Sequence, residues 1–254
     1  MKTLEITTAI GCPMMCKFCP QGKLITNYGD NQKLMMDLEE FKQAINKVPK
    51  HVRIDFSGMC EPFKNPECAD MMLYASNRGH KVAVYTTLDG CTLKDLALIK
   101  NIKFDDFVLH LPDQNRSANI PICPDYMTAL NTCVEFGMVS DAMCMGPIDN
   151  RIAHIVCGSI IPMHNRAGSL DIIPSTRRKG KLLCRGNPRP EVGGLLPNGD
   201  VYLCCMDYGL KHKLGNLYTQ SYKDLYTSEE YNKVIAAMDS EDGECICRMC
   251  DYTK

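Results

Sequence analysis

The sequence contains no tryptophan, only 7% aromatic residues, and no apolar run close to the length of a membrane span. Its 29 basic and 30 acidic residues leave a formal net charge of −1. A membrane-spanning helix needs about 20 consecutive apolar residues, and nucleic-acid binding usually requires a basic surface. We therefore expect neither membrane insertion nor a nucleic-acid partner.

Cysteine is the residue present in excess, at 16 of 254 positions. No basic segment followed by a long apolar run precedes Cys12, so we predict no signal peptide and a cytoplasmic location. Disulfide scaffolds are normally small and secreted. In a cytosolic chain, clustered cysteines more often bind metal or perform redox chemistry.

Strand-like and helix-like segments alternate over the first two thirds of the chain, which predicts a parallel α/β sheet or barrel. About six such units are visible, fewer than the eight of a closed barrel. The predicted strands are residues 3–8, 51–57, 81–86, 105–111, 138–144 and 155–161. The predicted helices are residues 37–48, 67–78, 92–100 and 124–136.

The alternation of strand-like and helix-like segments ends near residue 165. Apolar runs flank Asn198-Gly199, which predicts a β-hairpin with a type I′ turn. A helix is predicted to follow, from Ser228 as N-cap to about Met238. We therefore predict an α/β fold, a partial (β/α)6 barrel over residues 1–168, followed by a small C-terminal α+β domain, with a β-hairpin plus a helix, over residues 169–254.

Cys12, Cys16 and Cys19 form C-x3-C-x2-C directly after the first predicted strand. Soft thiolates suit iron–sulfur clusters and zinc. Three cysteines on a 4Fe–4S cluster leave one iron for a ligand other than cysteine, as a catalytic cluster requires. A zinc site that takes its fourth ligand from elsewhere has the same spacing, so spacing alone leaves both alternatives open.

With Phe18 as the aromatic residue before Cys19, this motif at the end of a first barrel strand resembles the radical S-adenosylmethionine (SAM) superfamily. The resemblance implies a 4Fe–4S cluster that binds SAM and generates a 5′-deoxyadenosyl radical. It also implies that Phe18 contacts the cofactor.

Two further segments are similar to SAM-binding segments of that superfamily. The turn containing Gly58, Met59 and Glu61 resembles the one that holds the SAM amino group, although Cys60 stands where many relatives have glycine. Thr86 and Thr87 resemble the residues that meet the ribose and carboxylate of SAM. Both segments end strands, where α/β barrels place their sites.

The C-terminal region holds a second group of cysteines, ending in the pair Cys247-x2-Cys250. The spacing Cys184-x14-Gly199-x4-Cys204 resembles the start of the SPASM and Twitch auxiliary-cluster domains. The shorter Twitch form fits better and implies one auxiliary 4Fe–4S cluster. Its predicted ligands are Cys184, Cys204, Cys247 and Cys250, with Cys205 or Cys245 as possible replacements and a zinc ribbon as the alternative.

Size and C-terminal region most resemble small radical SAM dehydrogenases that oxidise a secondary alcohol of aminocyclitols. By that resemblance Arg166 lies near the substrate hydroxyl, where hydrogen bonding suits it better than acting as a base. A contact to SAM or between domains is the alternative role for Arg166. His110 and Asp113 are further pocket candidates. Cys144 or Cys123 could reach the barrel mouth and donate a hydrogen atom to a substrate radical.

Three hypotheses follow for the function. The first is oxidation of a sugar, cyclitol or nucleotide-linked sugar, with an external one-electron reductant such as flavodoxin or ferredoxin. The second is another radical outcome, either epimerisation through a cysteine donor or modification of a ribosomal peptide. A barrel that begins at residue 3 leaves no leader-recognition domain before it, which favours a small molecule over a peptide. The third is a zinc-stabilised binding protein without enzymatic activity.

Overall fold

The computed structural model describes residues 2–185, 187 and 192–254. All six predicted strands of the first two thirds are present, although the sixth is only two residues long. They are β1 (Thr3–Ile6), β2 (Arg53–Phe56), β3 (Val82–Thr86), β4 (Asp106–His110), β5 (Asp141–Cys144) and β6 (Ser159–Ile160). The C-terminal third adds β7 (Val192–Leu195), β8 (Asp200–Tyr202) and β9 (Lys213–Asn216).

Seven α-helices are described, and five of them begin and end close to the predicted positions. They are α1 (Gln21–Tyr28), α2 (Leu38–Ile45), α3 (Cys68–Asn77), α4 (Leu93–Ile99), α5 (Pro124–Glu135), α6 (Tyr222–Leu225) and α7 (Glu229–Asp239). Two short 3-10 helices span Pro62–Lys64 and Ile246–Met249. Capping explains several starts: the Asp37, Thr92 and Ser228 side chains each accept a backbone N–H at the beginning of α2, α4 and α7.

Helix α1 was not predicted. Its N-cap position is Pro20, which offers no side-chain acceptor, and its first turn contains no acidic residue. Its buried side chains are Gln21, Leu24 and Tyr28, so one of the three inward positions is polar. This weakens the apolar period from which a helix is usually predicted.

The nine strands form one sheet in the order β6-β5-β4-β3-β2-β1-β7-β8-β9. Strands β1 to β7 pair in parallel, and β8 and β9 are antiparallel. Among the described residues no pairing joins β6 to β9, so the sheet stays open. This confirms the predicted α/β class and its parallel core.

Strand β1 shows how the sheet separates core from site. Leu4 and Ile6 are 0% exposed and belong to the main hydrophobic core. Thr3 and Glu5 face the other way and line a cavity, as strand alternation requires. Side chains from strands β1 to β5 and from β7 line this cavity, so the sheet must curve around it.

The predicted type I′ turn is wrong. The Gly199 N–H donates to the Leu196 carbonyl at 2.9 Å, so the turn is centred on Pro197 and Asn198. A type I′ turn needs positive φ at both central residues, and Asn198 does not have it. Because Pro197 fixes φ near the value for the first central position of a type I turn, Gly199 takes the following left-handed position, at φ 85°.

The boundary predicted between residues 168 and 169 lies in the loop between β6 and β7. Because β7 pairs with β1, with Gly193 opposite Leu4, the C-terminal third extends the same sheet. The division into two domains stays a prediction. None of the described helices combines the length and the apolar character needed to cross a bilayer.

Candidate functional site

The loop after β1 places Cys12, Cys16 and Cys19 on the wall of a cavity of about 340 Å³, which we call the first cavity. Every residue assigned to SAM binding from the sequence lines the same cavity: Phe18, Gly58, Met59, Glu61, Thr86 and Thr87. They meet because the carboxyl ends of β1, β2 and β3 are adjacent in a parallel sheet. Their role in binding SAM stays a prediction.

The three thiols are close enough to affect one another. Burial, together with the charges of Cys19 and Cys12, raises the pKa of Cys16 to about 11. Within the described ranges, no three His, Cys, Asp or Glu side chains gather tightly enough to hold a single metal ion.

Gln21, the first residue of α1, holds this loop and was missed by the sequence analysis. Its Nε2 donates to the Cys19 Sγ at 3.2 Å and also to the Met59 carbonyl. Its Oε1 accepts the Cys12 N–H at 3.3 Å. The 1% exposed Gln21 side chain therefore fixes both ends of the cysteine loop against the turn after β2.

Two more donors reach the sulfur atoms from distant segments. The Asn119 N–H donates to the Cys16 Sγ at 3.4 Å. The Tyr208 hydroxyl lies 3.4 Å from the Cys19 Sγ. Hydrogen bonds to sulfur are a principal way in which a protein tunes an iron–sulfur cluster. These hydrogen bonds to Cys16 and Cys19 are therefore of the kind that tunes a bound iron–sulfur cluster.

Gly58 is required where β2 turns toward the cysteine loop. Its φ is 72°, and a Cβ there would clash with Thr7 Oγ1 and lie 3.2 Å from the Thr7 backbone nitrogen. The neighbouring Met59 N–H donates to the same Thr7 hydroxyl at 3.1 Å. A glycine therefore lets this turn approach β1 closely.

Glu61 is buried and accepts four hydrogen bonds within the chain. The donors are Thr86 Oγ1 at 2.6 Å, Thr87 N at 2.7 Å, Thr87 Oγ1 at 2.7 Å and Phe63 N at 3.2 Å. A carboxylate offers about four lone-pair sites, so Glu61 is already satisfied. It positions Thr86 and Thr87. Its predicted interaction with the SAM ammonium group would therefore be electrostatic rather than a further hydrogen bond.

Arg166 also lines the first cavity, and its backbone is strained. Arg166, Ala167 and Gly168 have φ values of 50°, 50° and 75° in succession. Left-handed non-glycine residues cost roughly 1 kcal/mol or more each and cluster at functional sites. The Arg166 guanidinium donates a hydrogen bond to the Phe18 carbonyl at 3.4 Å. After burial, the groups that most affect the pKa of Arg166 are tyrosines and cysteines, not carboxylates.

His110 lines the first cavity and stacks on Phe18 with ring centroids 5.0 Å apart. Burial, aided by Arg166, lowers the pKa of His110 to about 4, so the imidazole is neutral near pH 7. Its Nε2 has no hydrogen-bond partner among the described residues.

Three candidates from the sequence lie outside this cavity. Met143 of β5 faces the cavity, so the next residue, Cys144, points to the opposite face and contacts the Ser159 carbonyl at 3.7 Å. Asp113 is buried and accepts amide hydrogen bonds from its own loop. Cys123 is exposed at the start of α5. Neither Cys144 nor Cys123 therefore lines the first cavity, and their role as hydrogen donors stays a prediction.

A second cavity, of about 60 Å³, is lined by the four cysteines predicted as auxiliary ligands: Cys184, Cys204, Cys247 and Cys250. Burial raises the pKa of Cys184 and of Cys204, and the charge of Cys250 raises both further. The hydrogen bond that Cys247 donates to Cys245 raises the pKa of Cys247, with burial and the Cys204 and Cys184 charges adding to the rise. The four thiols are therefore mutual neighbours, whereas Cys245 does not line the cavity.

Six residues line both cavities and form the wall between them: Glu5, Arg185, Val192, Cys205, Met206 and Tyr252. Arg185 lies over the Tyr252 ring, 4.2 Å from its centroid. The Glu5 Oε2 is shielded from solvent and accepts no hydrogen bond from the described residues. A buried carboxylate oxygen without a donor is costly, whereas the same carboxyl group is hydrogen-bonded to Cys205.

Glu5 should make the stability of the metal-free protein depend on pH. Burial raises its pKa from the ordinary 4.5 to about 7, with Asp55 adding to the rise and Cys205, Arg185 and Arg166 opposing it. The folded state therefore holds this proton more tightly than the unfolded state. The contribution of this proton to the free energy of unfolding is fully present below pH 4.5 and is lost as pH rises through about 7.

We expect urea unfolding of the metal-free protein to show this loss against Glu5→Gln, which cannot titrate. Between pH 4.5 and 8 the unfolding free energy of the wild type should fall relative to the variant by on the order of 3 kcal/mol. Equal pH dependence of the two proteins would contradict the raised pKa.

Two comparisons with known proteins match parts of the chain. The SPASM family model, an iron-sulfur cluster-binding domain, matches residues 192–251. The "Probable dual-specificity RNA methyltransferase RlmN" of Prochlorococcus marinus (strain NATL2A) is 33% identical over 139 residues, which are 49% of this chain and 38% of that protein. The match therefore spans well under two thirds of that relative's length.

Two solved structures resemble nearly the whole chain. BtrN in complex with AdoMet and 2-DOIA has a TM-score of 0.66 and 16% identity, covering 99% of this chain and 93% of that chain. Streptococcus suis SuiB bound to precursor peptide SuiA has a TM-score of 0.64 and 12% identity, covering 98% of this chain and 69% of that chain. At these identities the likeness shows a shared fold.

Proposed function

Because this chain combines the radical SAM fold with a SPASM iron–sulfur domain, we propose that it cleaves SAM reductively and removes a hydrogen atom from a small sugar-like substrate. We further propose that the outcome is oxidation of a secondary alcohol in a sugar, cyclitol or nucleotide-linked sugar. The observation that carries this is the pair of cysteine-lined cavities that share one wall.

When bound, the SAM-binding 4Fe–4S cluster supplies a 5′-deoxyadenosyl radical and the auxiliary 4Fe–4S cluster supplies one-electron transfer. Cys12, Cys16 and Cys19 would hold the first, leaving one iron without a cysteine. Cys184, Cys204, Cys247 and Cys250 would hold the second. Gln21 and Tyr208 donate hydrogen bonds that keep the first cysteine loop in position.

The substrate is proposed to lie in the first cavity against the shared wall. Arg166, which forms no ion pair with a carboxylate among the described residues, would donate a hydrogen bond to the substrate oxygen. The Glu5 Oε2, which accepts no hydrogen bond from the part of the chain that the structure describes, would accept the hydroxyl proton as the alcohol is oxidised. Met143 and Ile161 line the same cavity and would exclude water from the radical.

Epimerisation is the second candidate, and the position of Cys205 favours it. Loss of an electron from a carbon radical gives a ketone, whereas return of a hydrogen atom on the opposite face inverts the centre. Cys205 is a thiol in the shared wall that the four-cysteine group does not require.

Both outcomes need electrons from outside the chain. We propose an external one-electron reductant of the flavodoxin or ferredoxin class. The charge balance of 29 basic and 30 acidic residues gives no support to an RNA substrate, despite the partial likeness to a methyltransferase.

The test uses anaerobically reconstituted protein with SAM, dithionite and a panel of cyclitols, sugars and nucleotide-linked sugars. We expect ketone and 5′-deoxyadenosine in equal amounts with one class of alcohol. Arg166→Gln should keep SAM cleavage but lower ketone formation by about tenfold to a hundredfold, the value of a charged hydrogen bond. Arg151→Gln, at an exposed Asp149 pair, should have no effect. Absence of 5′-deoxyadenosine would refute the proposal.

A further inference from the structure

The first cysteine loop faces solvent on its outer side. Met15, between Cys12 and Cys16, is 61% exposed, and Lys17 is exposed as well. Cys16 itself is only partly buried. An electron that arrives at this surface therefore has little protein to cross before it reaches the thiols predicted to hold the SAM-binding cluster.

The loop after β4 packs against the same surface. The Lys17 backbone N–H donates to the Ser117 carbonyl at 3.0 Å, and the Lys17 ammonium donates to the Asn115 carbonyl at 3.0 Å. The Asn119 N–H donates to the Cys16 Sγ at 3.4 Å. Because Asn119 is itself exposed, a single hydrogen bond connects the protein surface with a sulfur atom of the first cysteine group.

Together the two loops form one continuous surface, which we call the loop face. Its five exposed residues are Met15, Lys17, Asn115, Arg116 and Asn119. Met15 and Arg116 both have left-handed backbones, with φ values of 46° and 50°, and such strain clusters at functional sites. Methionine and arginine are also enriched in protein–protein interfaces. The loop face therefore has the composition of a surface that another protein contacts.

The loop face carries positive charge that nearby carboxylates do not neutralise. The Lys17 ammonium binds a carbonyl and not a carboxylate. Arg116 lines an adjoining cavity of about 470 Å³ and forms no ion pair within residues 2–185, 187 and 192–254. The three carboxylates of that cavity already have other partners: Asp89, Asp113 and Asp149. A partner of complementary charge would therefore be acidic.

We propose that the loop face is the docking surface for an acidic one-electron carrier protein of the flavodoxin class. This inference rests on the proposed function, which requires an external electron for each SAM cleaved. Carboxylates of the carrier would contact Lys17 and Arg116, and Met15 would pack against the apolar surroundings of its flavin. The flavin is oxidised by one electron and the cluster held by the first cysteine group is reduced by one, so electrons balance without a bond being made or broken.

The test supplies electrons to reconstituted protein and SAM in two ways. Photoreduced flavodoxin must dock, whereas dithionite, at a concentration beyond which the rate no longer rises, needs no docking surface. We expect the double variant Lys17→Glu/Arg116→Glu to form 5′-deoxyadenosine about tenfold or more slowly with flavodoxin. Its rate with dithionite and its iron content should equal those of the wild type. The advantage of the wild type should vanish near 1 M salt, where charges are screened within about 3 Å.

A second measurement locates the contact without relying on turnover. A carbodiimide joins a lysine amine directly to a carboxylate that touches it. With flavodoxin and the reconstituted wild type, we expect mass spectrometry to find the Lys17 peptide cross-linked to a flavodoxin peptide. The matched control is Lys100→Glu/Lys103→Glu, because both lysines are exposed and precede β4, at the opposite end of that strand from the loop face. This control should keep the flavodoxin-supported rate.

Each other result overturns the inference. Equal flavodoxin-supported rates in the wild type and in Lys17→Glu/Arg116→Glu would show that the carrier docks elsewhere. Cross-links confined to Lys181, which precedes Cys184, would place the contact beside the second cysteine group. An equal loss in Lys100→Glu/Lys103→Glu would reduce the effect to overall charge. Product with dithionite but none with flavodoxin would exclude this class of carrier, whereas no 5′-deoxyadenosine with either reductant would instead refute the proposed function.

Discussion

Replacing Cys12, Cys16 and Cys19 together by alanine is expected to lower the iron content from about eight to about four atoms per chain and to abolish SAM cleavage. The three thiols line one cavity and sit on a loop fixed by Gln21. The second cavity has its own four cysteines and its own packing. The two groups should therefore fill independently.

The matched variant replaces Cys184, Cys204, Cys247 and Cys250. It should also retain about four irons, but on the SAM-binding side, and it should still cleave SAM. Iron and acid-labile sulfide after anaerobic reconstitution give the counts. Zinc without iron in the wild type and in both variants would contradict the radical mechanism. About four irons falling to none in the first variant would leave the C-terminal cysteines without a cluster.

The cysteine groups could be predicted because their information is local. Cys12, Cys16 and Cys19 stand within one loop. Thr86 ends β3 and Glu61 follows β2, and the ends of these strands must meet in a parallel sheet. The spacing Cys184-x14-Gly199-x4-Cys204 likewise belongs to one hairpin, and Gly199 takes the left-handed position that this hairpin needs.

The residues that complete the site depend on contacts between distant segments, which no local pattern reveals. Glu5 looks like an ordinary polar position of an alternating strand, and only β7, about 190 residues later, places the second cavity beside it. Gln21 is a polar residue at the start of a helix without a cap. Cys144 does not line the first cavity because side chains alternate along β5 and Met143 takes the inward position.

Arg248 is the second residue whose replacement should have a large effect. It lies within Cys247-x2-Cys250 and is 0% exposed, yet it forms no ion pair within the described ranges. Its guanidinium uses all five N–H donors on five backbone carbonyls. These belong to Gly243, Arg178, Gly180, Ala237 and Ser240.

Those carbonyls connect three separate segments of the C-terminal third. Ala237 and Ser240 lie at the end of α7, where the helix dipole favours a cation. Arg178 and Gly180 belong to the loop segment that leads to Cys184. One side chain thus fixes the terminal cysteine pair against both α7 and the segment that carries another ligand of the second cavity.

Arg248→Lys keeps the charge but supplies only three donors, so at least two buried carbonyls lose a partner. Each charged hydrogen bond is worth roughly 1.5–3 kcal/mol, and we expect urea unfolding to show a loss on the order of 3–5 kcal/mol. Arg248→Met should also lose the second cluster, leaving about four irons with SAM cleavage intact.

Arg177→Lys is the matched control, because Arg177 forms surface ion pairs with Asp242 and Glu244 in the same region. Exposed pairs of this kind contribute about 1 kcal/mol or less. If Arg248→Lys and Arg177→Lys lost similar amounts of stability, the five carbonyl contacts of Arg248 would not account for its effect. Full iron content in Arg248→Met would contradict the expectation that Arg248 is needed for the second cluster.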